Sequence, residues 1–378
     1  MKHSHRLVTL AVVSVLVLSG CKSDPGGTVD SAGASADEPT TTTTTLLQGP
    51  PVAPDALDIG FTEAPFAYDG DVSFVSDLRC GPAERNLVDV AVPRSVDEIE
   101  AARSEGSADL PLVVHIHGGG FIGGDKAEVW TEDAEEITTY LANGVAVASL
   151  NYTLLASAAD GGVKTSMGDA AACLQFLRYN GSATFGIDPD LVVLRGGSAG
   201  AGTSLWLATH DDLADPTSSD PIEQQSTKPI AVAVVETQAT YDLDRWGTDV
   251  FGDYTELFAN QTLVQLAEAF GLADRLLSFY GISDSSQLAT PEIEAYRADV
   301  DILALMDPND PPAWVRNTRE EEVLPVSVGL LFHHGYHARA LQRQAEAVGY
   351  EAEVTWGFHA EPATSETDFV LRAIDEAR

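Results

Sequence analysis

The chain is poor in lysine, cysteine and positive charge of any kind. Only 5 of its 378 residues are Lys, and Lys and Arg together number 21 against 58 Asp and Glu. The formal net charge is −37 and the pI is ≈ 4.3. A surface this acidic repels phosphate backbones, which excludes non-specific nucleic-acid binding. The 3 Cys are too few for a disulfide scaffold. The apolar run Leu7–Leu18 is too short to span a bilayer comfortably. There is no internal repeat, no G-x-x-x-x-G-K-[ST] and no G-x-G-x-x-G after a first strand, so no nucleotide-phosphate loop is signalled. What is present is a 44% hydrophobic composition with 5 Trp, 10 Tyr and 13 Phe. That is too rich for a wholly disordered chain, and the acid excess reads as a solvated surface.

Lys2 and Arg6 precede the run Leu7–Leu18, which ends in Leu18-Ser19-Gly20-Cys21. Charge, apolar run and small residues occur in the order of an export signal. The tetrapeptide resembles a bacterial lipobox. Residues 1–20 are therefore expected to be removed, with Cys21 diacylated and the chain anchored on the outer face of the cell envelope's membrane. Losing Lys2 and Arg6 and no acid would take the charge from −37 to −39. Residues 21–58, including Thr40–Thr45, lack apolar periodicity and read as a flexible linker.

Residues 59–378 carry the folded body. Strands are expected at Asn86–Pro93, Leu110–His115, Val145–Leu150, Leu191–Arg195, Ile230–Val235, Ala313–Arg316 and Glu351–Trp356. Helices are expected at Asp133–Asn143, Ser166–Tyr179, Ala201–His210, His337–Val348 and Thr367–Ala377. This alternation predicts an α/β fold, a mostly parallel central sheet with helices on both faces. Residues 244–311 break the rhythm with helix-like stretches and no convincing strand, which predicts a helical cap insertion. A surface excursion remote from any site is the alternative. Cys173 lies on the apolar face of its helix, so a buried free thiol is expected rather than a bond to Cys80.

Two glycine motifs carry chemistry. Gly196-Gly-Ser-Ala-Gly200 joins an expected strand to an expected helix. In such a turn the neighbours two positions from Ser198 must be small, and the turn drives the Ser oxygen into a cleft. It also places the Ala199 N–H at a helix N-terminus, where a developing oxyanion is stabilised. His117-Gly-Gly-Gly120 follows the strand Leu110–His115. Its consecutive glycines let backbone N–H groups face a substrate oxygen. Gly119 and Gly120 are the expected donors beside Ala199, with Gly118 as the alternative. His117 reads as a residue that holds the loop.

These motifs, with Asn151-Tyr152 and Phe185-Gly-Ile-Asp-Pro189, resemble the hormone-sensitive-lipase-like carboxylesterases of the α/β-hydrolase superfamily, and are also similar to type-B carboxylesterases. The resemblance runs over roughly residues 70–378. Gly197 stands where that group commonly has Asp or Glu, and Glu236–Asp242 matches none of its substrate motifs.

In this superfamily the acid and the base follow the nucleophile in chain order. His359, in the short loop Trp356–Ala360 after the last strand, is the expected general base. No Asp occurs between Asp310 and Asp368, so the acid falls among Glu320, Glu321 and Glu322. Glu321 fits the spacing to the following Leu and Pro best. His333, His334 and His337 lack interleaved acidic or Cys ligands, so no metal is expected. The resemblance implies hydrolysis of an uncharged small-molecule carboxylic ester through an acyl-enzyme on Ser198, with no cofactor. An amidase or peptidase on the same fold, or a non-catalytic binding lipoprotein, are the alternatives. Oligomeric state is not fixed.

Overall fold

The computed structural model describes residues 55–254, 258, 261–319 and 324–378. The expected signal, Cys21 and the linker up to residue 54 lie outside the described residues. The Leu57 N–H donates to Thr184 Oγ1 at 3.1 Å.

Eight strands form one sheet: β1 (Ser73–Arg79), β2 (Leu87–Val92), β3 (Leu110–Ile116), β4 (Ala146–Leu150), β5 (Ile187–Gly197), β6 (Ala231–Val235), β7 (Ala313–Asn317) and β8 (Ala352–Trp356). Their order is β1-β2-β4-β3-β5-β6-β7-β8. β2 runs antiparallel to both neighbours, and every pairing from β4 to β8 is parallel. The parallel strands are apolar on both faces because both faces are covered.

Side chains alternate across a strand, so β3 feeds two cores. Leu112, Val114 and Ile116 pack on one face and Val113 on the other. The first face is covered by α4 (Val163–Phe185), α5 (Ala199–Thr209) and α11 (Gly335–Val348). The second is covered by α3 (Ala134–Ala142) and α12 (Glu366–Ala377). Arg195, on β5, bonds Asp133 and Glu366 and so fixes α3 and α12 to the sheet.

Among the elements that escaped the apolar pattern are β1 and α1 (Val96–Glu105). The edge strand β1 has few alternations, and α1 has a weak apolar stripe. α1 does show a capping box, with Ser95 and Glu98 satisfying each other's backbone N–H. The short α2 (Val129–Glu132) leads into α3.

The segment 244–311 holds α6 (Leu263–Ala269), α7 (Ala273–Tyr280), α8 (Pro291–Asp299) and α9 (Ile302–Leu305), with no strand among its described residues. Its own apolar cluster includes Leu276, Tyr280, Ile282 and Ile293. Arg297 pairs with Asp242, Trp206 Nε1 donates to the Asp299 carbonyl, and Lys164 pairs with Asp299, so the insertion is tied to the body by charge as well as packing.

The expected free thiol is not found. Cys80 and Cys173 form a disulfide with Cα atoms 4.9 Å apart, joining the end of β1 to α4. Helical position marked Cys173 as buried. It could not show that the β1 end folds back to within bonding distance. Among the described residues no helix is long and apolar enough to cross a membrane.

Candidate active site

Ser198 sits between β5 and α5 with φ 53° and ψ −117°. This left-handed backbone is costly for a residue with a Cβ, and the surroundings impose it. A Cβ on Gly200 would fall 1.8 Å from the Ile116 carbonyl oxygen, and one on Gly196 would fall 2.7 Å from the same atom. The G-x-S-x-G spacing is therefore a steric requirement of α5 packing against β3. Gly197 differs. A Cβ there would meet only Val235 Cγ2 at 3.6 Å, an ordinary contact. The Ser198 N–H donates to the Val235 carbonyl at 3.0 Å, which ties the turn to β6.

The glycine loop follows β3. Gly119 has φ 97° and Gly120 φ 60°, conformations open to glycine. A Cβ on Gly118 would lie 3.4 Å from Ser198 Cβ, so the loop abuts the nucleophile. His117 holds this loop: its Nδ1 lies 2.7 Å from the Gly118 carbonyl oxygen, and its ring stacks on Tyr152 at 4.3 Å. The Tyr152 hydroxyl donates to the carbonyls of His117 and Gly118, both at 2.9 Å. The Tyr241 hydroxyl donates to the Ala199 carbonyl at 2.9 Å. Among the described residues, the N–H groups of Gly119, Gly120 and Ala199 make no backbone hydrogen bond. The sequence motif named these groups as expected oxyanion donors.

The partner of Ser198 is not where chain order put it. Ser198 Oγ lies 2.8 Å from Nε2 of His333. His333 ends α10 (Val328–His333), a helix the sequence pattern did not reveal. Two contacts place it. Gln238, just beyond β6, donates to the Phe332 carbonyl at 2.9 Å, and Arg319 bridges His334 in a parallel pairing. Burial pushes the His333 ring down to about 4, with Arg319 and Arg275 adding repulsion, and the Gly329 carbonyl opposing them. The ring is thus neutral at pH 7 and able to accept a proton.

His359 stands apart. It is exposed, has φ 62°, and lies against the Phe358 ring at 3.8 Å. The loop after β8 turns outward at Gly357, φ 112°, and carries His359 to solvent instead of onto Ser198. Glu320, Glu321 and Glu322 lie outside the described residues. A described carboxylate nearby is Glu236, the residue after β6, with φ 52°. Its Oε1 accepts from the Thr318 N–H at 3.2 Å, and Arg319 Nε stands 3.5 Å from Oε2. Burial raises its pKa. The remaining histidines of the cluster serve packing. His337 is buried, accepts from the Ala239 N–H at 3.2 Å, and lies 2.9 Å from the Leu331 carbonyl, so both ring nitrogens are occupied. The His334 Nδ1 accepts from the Tyr336 N–H.

A cleft of ≈ 820 Å³, counting its open mouth, lies over Ser198. Its walls are mostly apolar and include Phe121, Tyr241, Leu331 and Phe332 from the body. The insertion supplies Leu266, Phe270, Arg275, Leu276 and Phe279. Helices of the insertion thus form part of the cleft, in contrast to a remote excursion.

A family model described as BD-FAE matches residues 99–269. Among curated proteins, the acetylcholinesterase of Gallus gallus is 38% identical over 95 residues, 24% of this chain and 12% of that protein. The chain therefore spans a small part of that relative's length. Among solved structures, a truncated carbohydrate esterase from gut microbiota has a TM-score of 0.53 at 13% identity, covering 84% of this chain and 97% of that one. Esterase B from Lactobacillus rhamnosis has a TM-score of 0.50 at 18% identity, covering 83% and 88%. With the sheet order above, these likenesses show an α/β-hydrolase fold.

Proposed function

We propose that the protein is a serine carboxylesterase that hydrolyses carboxylic esters through an acyl-enzyme. The observation that carries this reading is the 2.8 Å contact between Ser198 Oγ and a His333 ring held neutral by burial. His333 accepts the Ser198 proton as Oγ attacks the carbonyl carbon. The oxyanion is received by the N–H groups of Gly119, Gly120 and Ala199. His333 then returns the proton to the departing alcohol. Water, deprotonated by the same ring, cleaves the acyl-serine bond and frees the acid. Spacing after β7 assigns the carboxylate that orients the base to Glu321. The glycine motifs support the hormone-sensitive-lipase-like type, and the apolar cleft supports an uncharged scissile portion.

The test combines turnover of p-nitrophenyl butyrate with labelling by a fluorophosphonate. Wild type is expected to do both. Ser198→Ala is expected to stay folded and lose turnover by on the order of 10⁴-fold. Absence of labelling in folded wild type would sink the assignment and leave a binding protein. Export and lipid attachment at Cys21, placing the enzyme on the outer face of the membrane, are proposed from the sequence of residues 1–21. Metabolic labelling with a fatty-acid analogue, lost in Cys21→Ala, tests that attachment.

A further inference from the structure

Arg275 is the charged residue among those lining a mostly apolar cleft. It sits on α7, and its guanidinium lies over the Phe332 ring at 4.8 Å. Its Nη2 donates to the Gly120 carbonyl at 3.0 Å. That carbonyl belongs to the residue whose N–H is a proposed oxyanion donor, so the cation stands one residue from the reacting carbonyl's expected position. Burial alone shifts its pKa downward, and no acidic side chain opposes that shift.

The absence of an acid is a matter of placement, since the chain has 58 acids for 21 cations. Three other enclosed arginines have carboxylates: Arg195 has Glu366 and Asp133, Arg297 has Asp242, and Arg339 has Asp253, whereas Arg178 is met by the backbone carbonyls of Pro189 and Lys228. Arg275 has none among the described residues. One of its five N–H groups is used by Gly120, no Arg275 nitrogen is both buried and unpartnered, and the residue lines the cleft. A guanidinium presents a planar fork that matches a carboxylate, and the pairing strengthens where water is scarce. Around it Leu266, Phe270, Leu276 and Phe279 offer only apolar surface.

We infer that Arg275 is a specificity-determining residue that receives a carboxylate on the substrate. The preferred ester then carries a second, free carboxylate a few bonds from the scissile carbonyl, as in a half-ester of a dicarboxylic acid. This rests on the esterase reading and sharpens the substrate class from a neutral ester to an anionic one. The acidic exterior does not steer such a substrate in, so discrimination is expected at short range and in KM.

The experiment compares kcat/KM for monoethyl succinate and monoethyl adipate with that for ethyl butyrate and ethyl hexanoate, in wild type, Arg275→Gln and Arg275→Lys. Wild type is expected to use at least one half-ester as well as, or better than, its neutral partner. Arg275→Gln is expected to lower the charged-to-neutral ratio at least about tenfold, chiefly through KM, and Arg275→Lys to keep part of it. Because each ratio is taken within one preparation, partial misfolding cancels. Equal loss on both ester types would show that Arg275 only holds the glycine loop, and would overturn the proposal. So would a wild type that rejects both half-esters. A second readout needs no turnover: monoethyl adipate should raise the melting temperature of Ser198→Ala but not of Ser198→Ala with Arg275→Gln. If wild type neither reacts with a fluorophosphonate nor cleaves any ester, the esterase reading fails by itself. The melting shift then decides whether the carboxylate site stands.

Discussion

Ser198 and His333 meet at 2.8 Å although 135 residues separate them, and His333 precedes β8 instead of following it. Two histidines therefore compete for one role. His333→Ala is expected to lower kcat/KM for p-nitrophenyl butyrate by at least about 10³-fold, and His359→Ala to change it less than about threefold. Steady-state kinetics on folded variants decides. The reverse pattern would return the base to the loop after β8.

The low pKa of His333 sets the acidic limb of the rate profile. The base works when neutral, so activity is lost as pH falls through the pKa of the free enzyme. With the ring pushed down to about 4, kcat/KM is expected to hold from pH 7 to about 5 and to halve near pH 4. A stopped assay on protein shown to be folded at each pH measures this. A midpoint near 6.5 would point to an exposed imidazole.

The same burial has a cost in acid. His333 and His337 have folded pKa values of about 4 and about 3, below the ordinary 6.5. As pH drops below 6.5 the unfolded chain takes up protons that the folded chain refuses, so stability falls from there toward pH 3. Melting temperature is expected to decline over this window. His337→Gln is expected to flatten the decline, whatever it does to stability at pH 7.

The glycines around Ser198 are expected to behave unequally. Gly200→Ala drives a Cβ to 1.8 Å from the Ile116 carbonyl oxygen and should cost at least about 3 kcal/mol or prevent folding. Gly197→Ala meets only Val235 Cγ2 at 3.6 Å and should stay within about 1 kcal/mol of wild type. Urea denaturation of the two variants provides the comparison. Equal destabilisation would contradict the close approach of α5 to β3.

The disulfide closes a loop across a sequence separation of 93. Replacing Cys80 and Cys173 together with Ala is expected to cost about 2–4 kcal/mol, read as a lower midpoint in urea. Mass spectrometry with and without reduction checks the bond itself. A pair of free thiols in protein prepared under oxidising conditions would disprove it.

What the sequence determined by itself is whatever depends on neighbours along the chain. The continuous apolar runs of β3 and β4, alternating along the chain with helical segments, announced a buried parallel sheet. The small residues flanking Ser198 announced the strained turn, because backbone sterics act over two or three residues. The glycines after His117 announced a loop with positive φ for the same reason. The pairings across the chain were decided by the tertiary structure. His333 reaches Ser198 because Gln238 and Arg319 hold the segment around α10 over the end of β6 and β7. Cys80 reaches Cys173 because β1 folds back against α4. Arg275 reaches Gly120 because the insertion lies over the glycine loop. Each contact joins residues more than 90 positions apart. Its position is set by how whole elements pack, and no local spacing records that packing.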